Sequence, residues 1–318
     1  MNILFTGASS FTGAWFVQEL VKAGHSVTAI FKSPLSTYTY LRLDRINLNR
    51  SSIESIYDCS FGSDSFFNVL LSKKWDLFCH HAADVTNYKS PDFNPVSALE
   101  NNVGGDLKRI LKTLQQQGCN RVLLTGSVFE QNEGAGSDEL RAVSPYGLSK
   151  GLTSEMFRYY CQILEMKLAK FVIPNPFGPY EEFRFTSFLM QNWFSKKPVL
   201  VSMPAYVRDN IHVSLLAKAY RQFAEQIDNK PGFVKLNPSG YPESQGAFTA
   251  RFAAEMRARL DLECEYELGQ QKEFPEPKVR INTDLLNADS LSWNEVQAWD
   301  DLACYYETLY QVACSTCL

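Results

Sequence analysis

The sequence predicts an α/β fold, a doubly wound parallel sheet over residues 1–174 followed by a smaller C-terminal substrate-binding lobe over 175–318, with 206–238 returning to the first unit. Three observations carry that expectation. Apolar strand-like runs alternate with helical patterns through the first half, as in a parallel sheet with crossover helices. A loop of small residues joins the first strand to the first helix. Past residue 174 the alternation loosens into short strands and isolated helices, the form taken by additions at the carboxyl ends of strands.

Residues 2–6 are apolar and read as the first strand. Residues 12–23 have helical periodicity and stop at Gly24, a helix-closing residue, and 27–31 form the second strand. Residues 76–80 read as a strand, 96–117 as one helix closed by Gly118, and 121–125 as the next strand. A helix opens at Ser144-Pro145, because proline loses no hydrogen bond in a first turn. Residues 168–173 give a further strand that ends in Pro174-Asn175-Pro176. Beyond it come a helix over 185–195, a strand over 199–202, and helices over 213–226, 245–260 and 293–311, with Phe274-Pro275-Glu276-Pro277 as a connecting loop.

Composition excludes several classes. Apolar residues are 45% and charged residues 21%, an ordinary globular balance. The net charge of −4, with no long basic run, argues against a nucleic-acid partner. No apolar run approaches the ~18 residues of a membrane span and no basic segment precedes an apolar one, so a cytoplasmic protein without a membrane partner is expected. The eight cysteines are scattered, and only Cys314 and Cys317 have metal or redox spacing. His80, His81 and His212 lie on different elements without further ligands at suitable spacing, so no metal site is predicted.

Thr6-Gly7-Ala8-Ser9-Ser10-Phe11-Thr12-Gly13 follows the first strand and opens a helix. Small residues let the backbone approach a pyrophosphate, and a helix N-terminus offers it unpaired amides. Gly7, Ser9, Ser10, Phe11, Thr12 and Gly13 are therefore candidate dinucleotide contacts, although Ser10 replaces the central glycine of the usual spacing. The second strand ends in Ile30-Phe31-Lys32-Ser33, without the carboxylate that would bond the adenosine ribose of NAD. Lys32 and Ser33 suit a 2′-phosphate, which predicts NADP over NAD unless Lys32 is an ordinary solvated lysine.

Tyr146 and Lys150 lie four residues apart on one helix, so both side chains share a face. An ammonium beside a phenol, whose unperturbed pKa is ~10, moves it toward the range useful for acid–base work at neutral pH.

With these pieces in order, the chain resembles the extended short-chain dehydrogenase/reductase family, in its branch of nucleotide-sugar epimerases, dehydratases and keto-reductases. The likeness extends by motif from residue 1 to about 218. His80-His81-Ala82-Ala83 matches His-x-Ala-Ala, Asn102-Val103-Gly104-Gly105 matches Asn-Val-x-Gly, and Thr125 stands at the hydroxyl position before Val128-Phe129, with Ser127 competing for it. The resemblance implies a Rossmann fold, with Tyr146 as acid or base, Lys150 on the nicotinamide ribose and Thr125 placing the substrate oxygen. It implies cofactor contacts from Phe31, Asn47, Leu48, His81, Ala82, Ala83, Asn102 and Pro174 besides the loop. It also implies substrate contacts from Ser127, Asn175 and Arg208 in Arg208-Asp209-Asn210-Ile211-His212-Val213, with Arg280 as a second phosphate contact. A guanidinium fork can hold two phosphate oxygens at once.

The expected partner is a nucleotide sugar, and the expected reaction a hydride transfer at a ring carbon. Gly126 and Ser127 stand where dehydratases carry an acidic pair, so dehydration is not expected. A keto-reductase is favoured, with a 4-epimerase as the alternative and a non-catalytic dinucleotide sensor as the reading from another class. Family members commonly dimerise through the helix that carries Tyr146 and the one over 96–117, which makes a homodimer expected, with Met156, Phe157, Tyr160 and Ile163 either supplying apolar area for the contact or facing the core.

Overall fold

The structure, a computed structural model, describes residues 1–315, with side chains through Tyr310; Cys317 and the side chain of Cys314 lie outside what is described. The first half runs β1 (Asn2–Thr6), α1 (Phe11–Lys22), β2 (Ser26–Ile30), α2 (Tyr40–Asn49), β3 (Glu54–Ile56), α3 (Asp64–Ser72) and β4 (Leu77–His80). It continues with α4 (Pro95–Val103), α5 (Leu107–Gln116), β5 (Arg121–Ser127), β6 (Ala135–Gly136), α6 (Pro145–Ile163) and β7 (Lys167–Ile173). The remainder is β8 (Asn175–Phe177), α7 (Phe185–Phe194), β9 (Val199–Val201), β10 (Val207–His212), α8 (Val213–Gln226), β11 (Gly232–Leu236), β12 (Pro238–Ser239) and β13 (Tyr241–Ser244). It ends with α9 (Gln245–Arg257), β14 (Tyr266–Leu268), β15 (Val279–Ile281), β16 (Asp284–Leu285) and α10 (Glu295–Ser315).

Seven strands form one parallel sheet in the order β11-β7-β5-β4-β1-β2-β3. The order reverses between β1 and β4, and in such sheets the crevice outside the carboxyl ends at that point is where ligands bind. Both faces are covered, which is why the strands read as apolar runs without alternation. On one face Phe16 of α1 stacks on Tyr220 of α8, ring centroids 4.0 Å apart and 7° from parallel. On the other, α3, α5 and α6 pack Phe66, Ile110, Leu114 and Phe157 against Leu4, Phe78 and Leu124.

A second sheet, β13-β10-β15-β6 with β8 on β10, joins the lobe to the first sheet. The lobe has its own core, where Trp299 and Leu302 of α10 meet Phe248 and Phe252 of α9 and Leu189 of α7. The sheet and smaller lobe agree with the sequence. The single helix expected over 96–117 does not. Gly104 and Gly105 both take positive φ (65° and 74°), so α4 ends and α5 restarts from Asp106, whose side chain caps it. Of the side chains expected at a dimer contact, Phe157 is fully buried and stacks on His80 at 5.1 Å, Met156 and Tyr160 are half-buried, and Ile163 is exposed. No helix of the described residues is long and apolar enough to cross a membrane.

At the joint between the lobe and the first sheet, Glu181 is buried. It accepts from Tyr306 of α10 at 2.6 Å and from Thr186 of α7. Burial pushes its carboxyl up to about 7 despite those donors. Above a pH near its ordinary pKa the unfolded chain loses this proton, while the folded chain keeps it until about pH 7. Stability is therefore expected to fall as pH rises through that window, by about 3 kcal/mol in total. Glu181→Gln should remove this decline, so urea unfolding at about pH 5 and pH 8 should show a smaller difference in the variant than in the wild type.

Candidate active site

The small-residue loop folds as its sequence requires. Ser10 caps α1 by accepting from Gly13 N at 3.1 Å and donates its own proton to Gly7 O at 2.8 Å. Gly7 has φ +87°, and a Cβ there would meet Ala82 N at 2.7 Å, so the loop lies directly on the end of β4. With Gly13 committed to the cap, the amides of Phe11 and Thr12 are the ones the helix end presents to an anion. These two free amides at a helix N-terminus, beside a loop of small residues, fit the pyrophosphate of a dinucleotide.

His81 ties this loop to β5. Its Nε2 lies 2.9 Å from Ser10 Oγ and 3.2 Å from Thr12 Oγ1, and its Nδ1 lies 2.9 Å from Thr125 Oγ1. The Ser10 proton goes to Gly7 O, so Nε2 donates to Ser10 and Nδ1 accepts from Thr125. Burial first, then Lys150 and His80, pushes the His81 pKa down to about 3 and keeps the ring neutral. The Thr125 hydroxyl is thus buried and committed inward, which corrects its expected place on the substrate. Ser127, half-buried at the end of β5, only accepts from Phe129 N at 3.2 Å and keeps a proton to donate. His80 is a second brace, bonded to Thr6 Oγ1 (3.1 Å) and donating to Asn102 O (3.0 Å).

Tyr146, Lys150 and Ser154 lie at successive four-residue steps of α6 and share one face. Lys150 Nζ is buried and donates to Thr125 O at 2.6 Å. Burial brings its pKa down to about 8, with Glu130 opposing that fall and Lys170 adding to it. The Tyr146 ring rests 5.2 Å from Tyr88 and 6.1 Å from Phe93 on the loop after β4. That loop is held by Asn102, which accepts from Asp84 N at 2.8 Å and donates to Thr153 of α6. Burial, then Glu130 and Tyr88, pushes the Tyr146 phenol well above its ordinary value, and Arg184 is the cation that opposes this. The expected lowering by Lys150 is therefore not what this arrangement produces, because the ammonium is drawn to the Thr125 carbonyl.

Arg184, which no sequence motif marks, caps α7 and lies over the Phe11 ring (6.0 Å to its centroid). Its charge also acts on Tyr146, in the direction that favours the phenolate. Arg45, buried under the same ring at 5.8 Å, holds the intervening turn through Glu182 (2.7 Å) and Tyr180 O (2.8 Å).

Other expected contacts fall elsewhere. Asn47 and Leu48 lie on α2, away from the strand ends, because the chain reaches β3 only at Glu54; Tyr57, stacked on Phe31 at 4.8 Å, follows that strand instead. Ala82 and Ala83 are half-buried at the end of β4, Pro174 is buried between β7 and β8, and Asn175 is half-buried on β8, paired with Asn210. Arg208 donates to the carbonyls of Val207, Pro277 and Lys278 and pairs with Glu276 at 2.9 Å. A phosphate would have to displace that exposed carboxylate. Arg280 is fully buried and donates to Val128 O at 2.8 Å and to Glu130 O, so it is a brace for the 128–130 turn and not a phosphate contact.

Residues 3–237 match the sequence model of the NAD dependent epimerase/dehydratase family. No curated protein matches the chain. Among solved structures it is similar to the UDP-glucose 4-epimerase of Thermotoga maritima with UDP-glucose, at 18% identity over 97% of this chain and 99% of that one, TM-score 0.72. It is similar to the Thermus thermophilus UDP-glucose 4-epimerase complex with NAD, at 17% identity over 96% and 99%, TM-score 0.69. It is also similar to the Bacillus cereus UDP-glucuronic acid 4-epimerase in complex with UDP-glucuronic acid and NAD, at 17% identity over 98% and 100%, TM-score 0.72.

These findings overturn the expected preference for NADP, since the family is NAD dependent and the complexes hold NAD. Lys32 accounts for the misreading. It is exposed, as an ordinary solvated lysine is. Motif order, the 3-2-1-4 sheet and the match over most of the chain agree, and the protein belongs to the NAD dependent epimerase/dehydratase family, in the nucleotide-sugar branch of the extended short-chain dehydrogenases/reductases.

Proposed function

We propose that the protein is an NAD-dependent nucleotide-sugar 4-epimerase, which oxidises a ring carbinol and re-reduces it with no net use of cofactor. The observation that carries this reading is the one face of α6 that presents Tyr146 and Lys150 beside the carboxyl end of β5. NAD would be held by the amides of Phe11 and Thr12, by Lys150 and by the ends of β1 and β2, and it supplies the hydride acceptor. Tyr146 moves the proton at the carbinol oxygen in both directions, and Ser127 orients that oxygen. The resting phenol is protonated, so removing the first proton needs a cation. Arg184 already favours the phenolate, and the Lys150 ammonium, still mainly charged at neutral pH and on the same helix face, would add to it on turning from the Thr125 carbonyl toward bound substrate and cofactor.

The reductase reading leaned on NADP and loses its support with it. Dehydration lacks an exposed acid, because Glu130, whose carboxylate reaches Ser127 N, is fully buried and paired with Lys170. The similar structures that bind UDP-glucose and UDP-glucuronic acid point to a uridine diphosphate sugar.

Incubation with a UDP-hexose and NAD, followed by proton NMR of the anomeric signals, should show the 4-epimer without build-up of NADH. Stoichiometric NADH, or no product from any nucleotide sugar, would sink the reading. NAD should also bind at least about tenfold more tightly than NADP in calorimetric titration, as the NAD dependence of the family and the NAD in the similar complexes lead one to expect.

A further inference from the structure

Between β5, α6 and β7 the structure buries a charged cluster that the proposed reaction does not use. Glu130 is fully buried, and Lys170 and Glu133 nearly so. Lys170 Nζ donates to Glu130 Oε2 at 2.6 Å and to Glu133 Oε1 at 2.7 Å. Glu133 is held in turn by Lys235 of β11 (2.9 Å) and by Asn237 (3.1 Å). Burial works against its ionisation, but Lys170 and these donors keep its carboxyl below the usual range.

The Glu130 carboxylate reaches two parts of the site. Oε1 accepts from Ser127 N at 2.7 Å, and Oε2 accepts from Ser154 Oγ at 3.0 Å. Ser154 continues the helix face of Tyr146 and Lys150, and the Lys150 bond to Thr125 O makes a second tie between the same elements. Three glycines make close approaches at this joint, the one at Gly147 to backbone and the other two to side chains. A Cβ at Gly126 would lie 2.6 Å from Lys170 Cε, one at Gly147 2.2 Å from Phe129 O, and one at Gly151 2.1 Å from Gln131 Oε1. The turn after β5 therefore lies directly on α6. A buried ion pair is weak evidence for stability, because desolvation offsets the Coulomb gain. One that clamps together the two elements bearing the reacting groups preorganises them.

We propose that Glu130, anchored by Lys170, is the positioning residue of this site: it fixes Ser127 against α6 so that Ser127, Tyr146 and Lys150 face one substrate. The inference rests on the reading of the site given above. Glu130 also acts on Lys150 through its charge. The groups around that ammonium are Glu130 from the turn after β5, Lys170 from β7, His80 at the end of β4 and His81 just after it, and the Thr125 carbonyl. Both histidines are neutral, so Glu130 favours the ammonium and Lys170 opposes it.

Two variants separate charge from geometry. Glu130→Gln removes the charge and keeps an acceptor oxygen, whereas Ser154→Ala cuts the tie to α6 and keeps every charge. In Glu130→Gln the alkaline limb of kcat/KM, set by loss of the Lys150 proton, is expected to move to lower pH by about one unit. In Ser154→Ala the limb should stay in place while kcat falls roughly tenfold at unchanged KM. A limb that does not move in Glu130→Gln, or wild-type kcat in Ser154→Ala, would overturn the proposal. If Glu130→Gln does not fold, Ser154→Ala decides alone. Failure of the activity reading looks different: the wild type would bind NAD yet turn over no nucleotide sugar. The pH dependence of NAD affinity in wild type and Glu130→Gln then tests the same displacement, with equal profiles counting against the proposal.

Discussion

Tyr146→Phe is expected to lower turnover about a thousandfold while leaving NAD affinity and folded stability nearly unchanged. The ring packs on Tyr88 and Phe93, contacts that phenylalanine keeps. Burial and the charges of Glu130 and Arg184, not a hydrogen bond, set the protonation of its hydroxyl, so deleting it strands no buried partner. What would be lost is the group proposed to move the proton at the sugar oxygen. Lys150→Met should behave differently. Turnover and NAD affinity should fall together, because the ammonium serves both. Calorimetric titration with NAD beside single-turnover measurements separates the two patterns. Turnover in Tyr146→Phe within tenfold of wild type would remove the tyrosine from the reaction.

The parts of this site that the sequence disclosed are those built from local rules. A small-residue loop between strand and helix, and a tyrosine and lysine one turn apart, depend on residues within a dozen positions of one another. Lys170 and Glu130 are 40 positions apart and meet only because β5 and β7 are neighbours in the sheet. Neither sits in a motif. Arg184 likewise acquires its place when the segment after β8 folds over Phe11. Lys32 and Thr125 were also misread. Each has the chemistry of its expected role, but Lys32 is exposed to solvent, and the Thr125 hydroxyl is engaged by His81, which the fold brings beside it. The misplaced Asn47 and Leu48 follow from β3, whose three residues give too short a pattern to be seen.

The split between α4 and α5 leads to the second large effect. Gly62 has φ +82°, and a Cβ there would sit 2.0 Å from Gly104 O and 2.7 Å from Gly104 C. Gly24 has the same φ of +82°, but nothing lies within 4 Å of its Cβ position. Gly24→Ala thus isolates the backbone penalty of the left-handed region, roughly 1–2 kcal/mol. Gly62→Ala adds a collision with backbone that cannot rotate away, for a total of about 2–5 kcal/mol. Urea unfolding of both variants measures the difference, and equal losses would mean that the two glycines do not pack as described. Gly104 also closes the helix that carries Asn102, whose side chain holds Asp84 N and, through it, the loop resting on Tyr146. Moving Gly104 away from a new methyl group loosens that support. Gly62→Ala should therefore also lose several-fold in kcat under conditions where it remains folded, and Gly24→Ala should not.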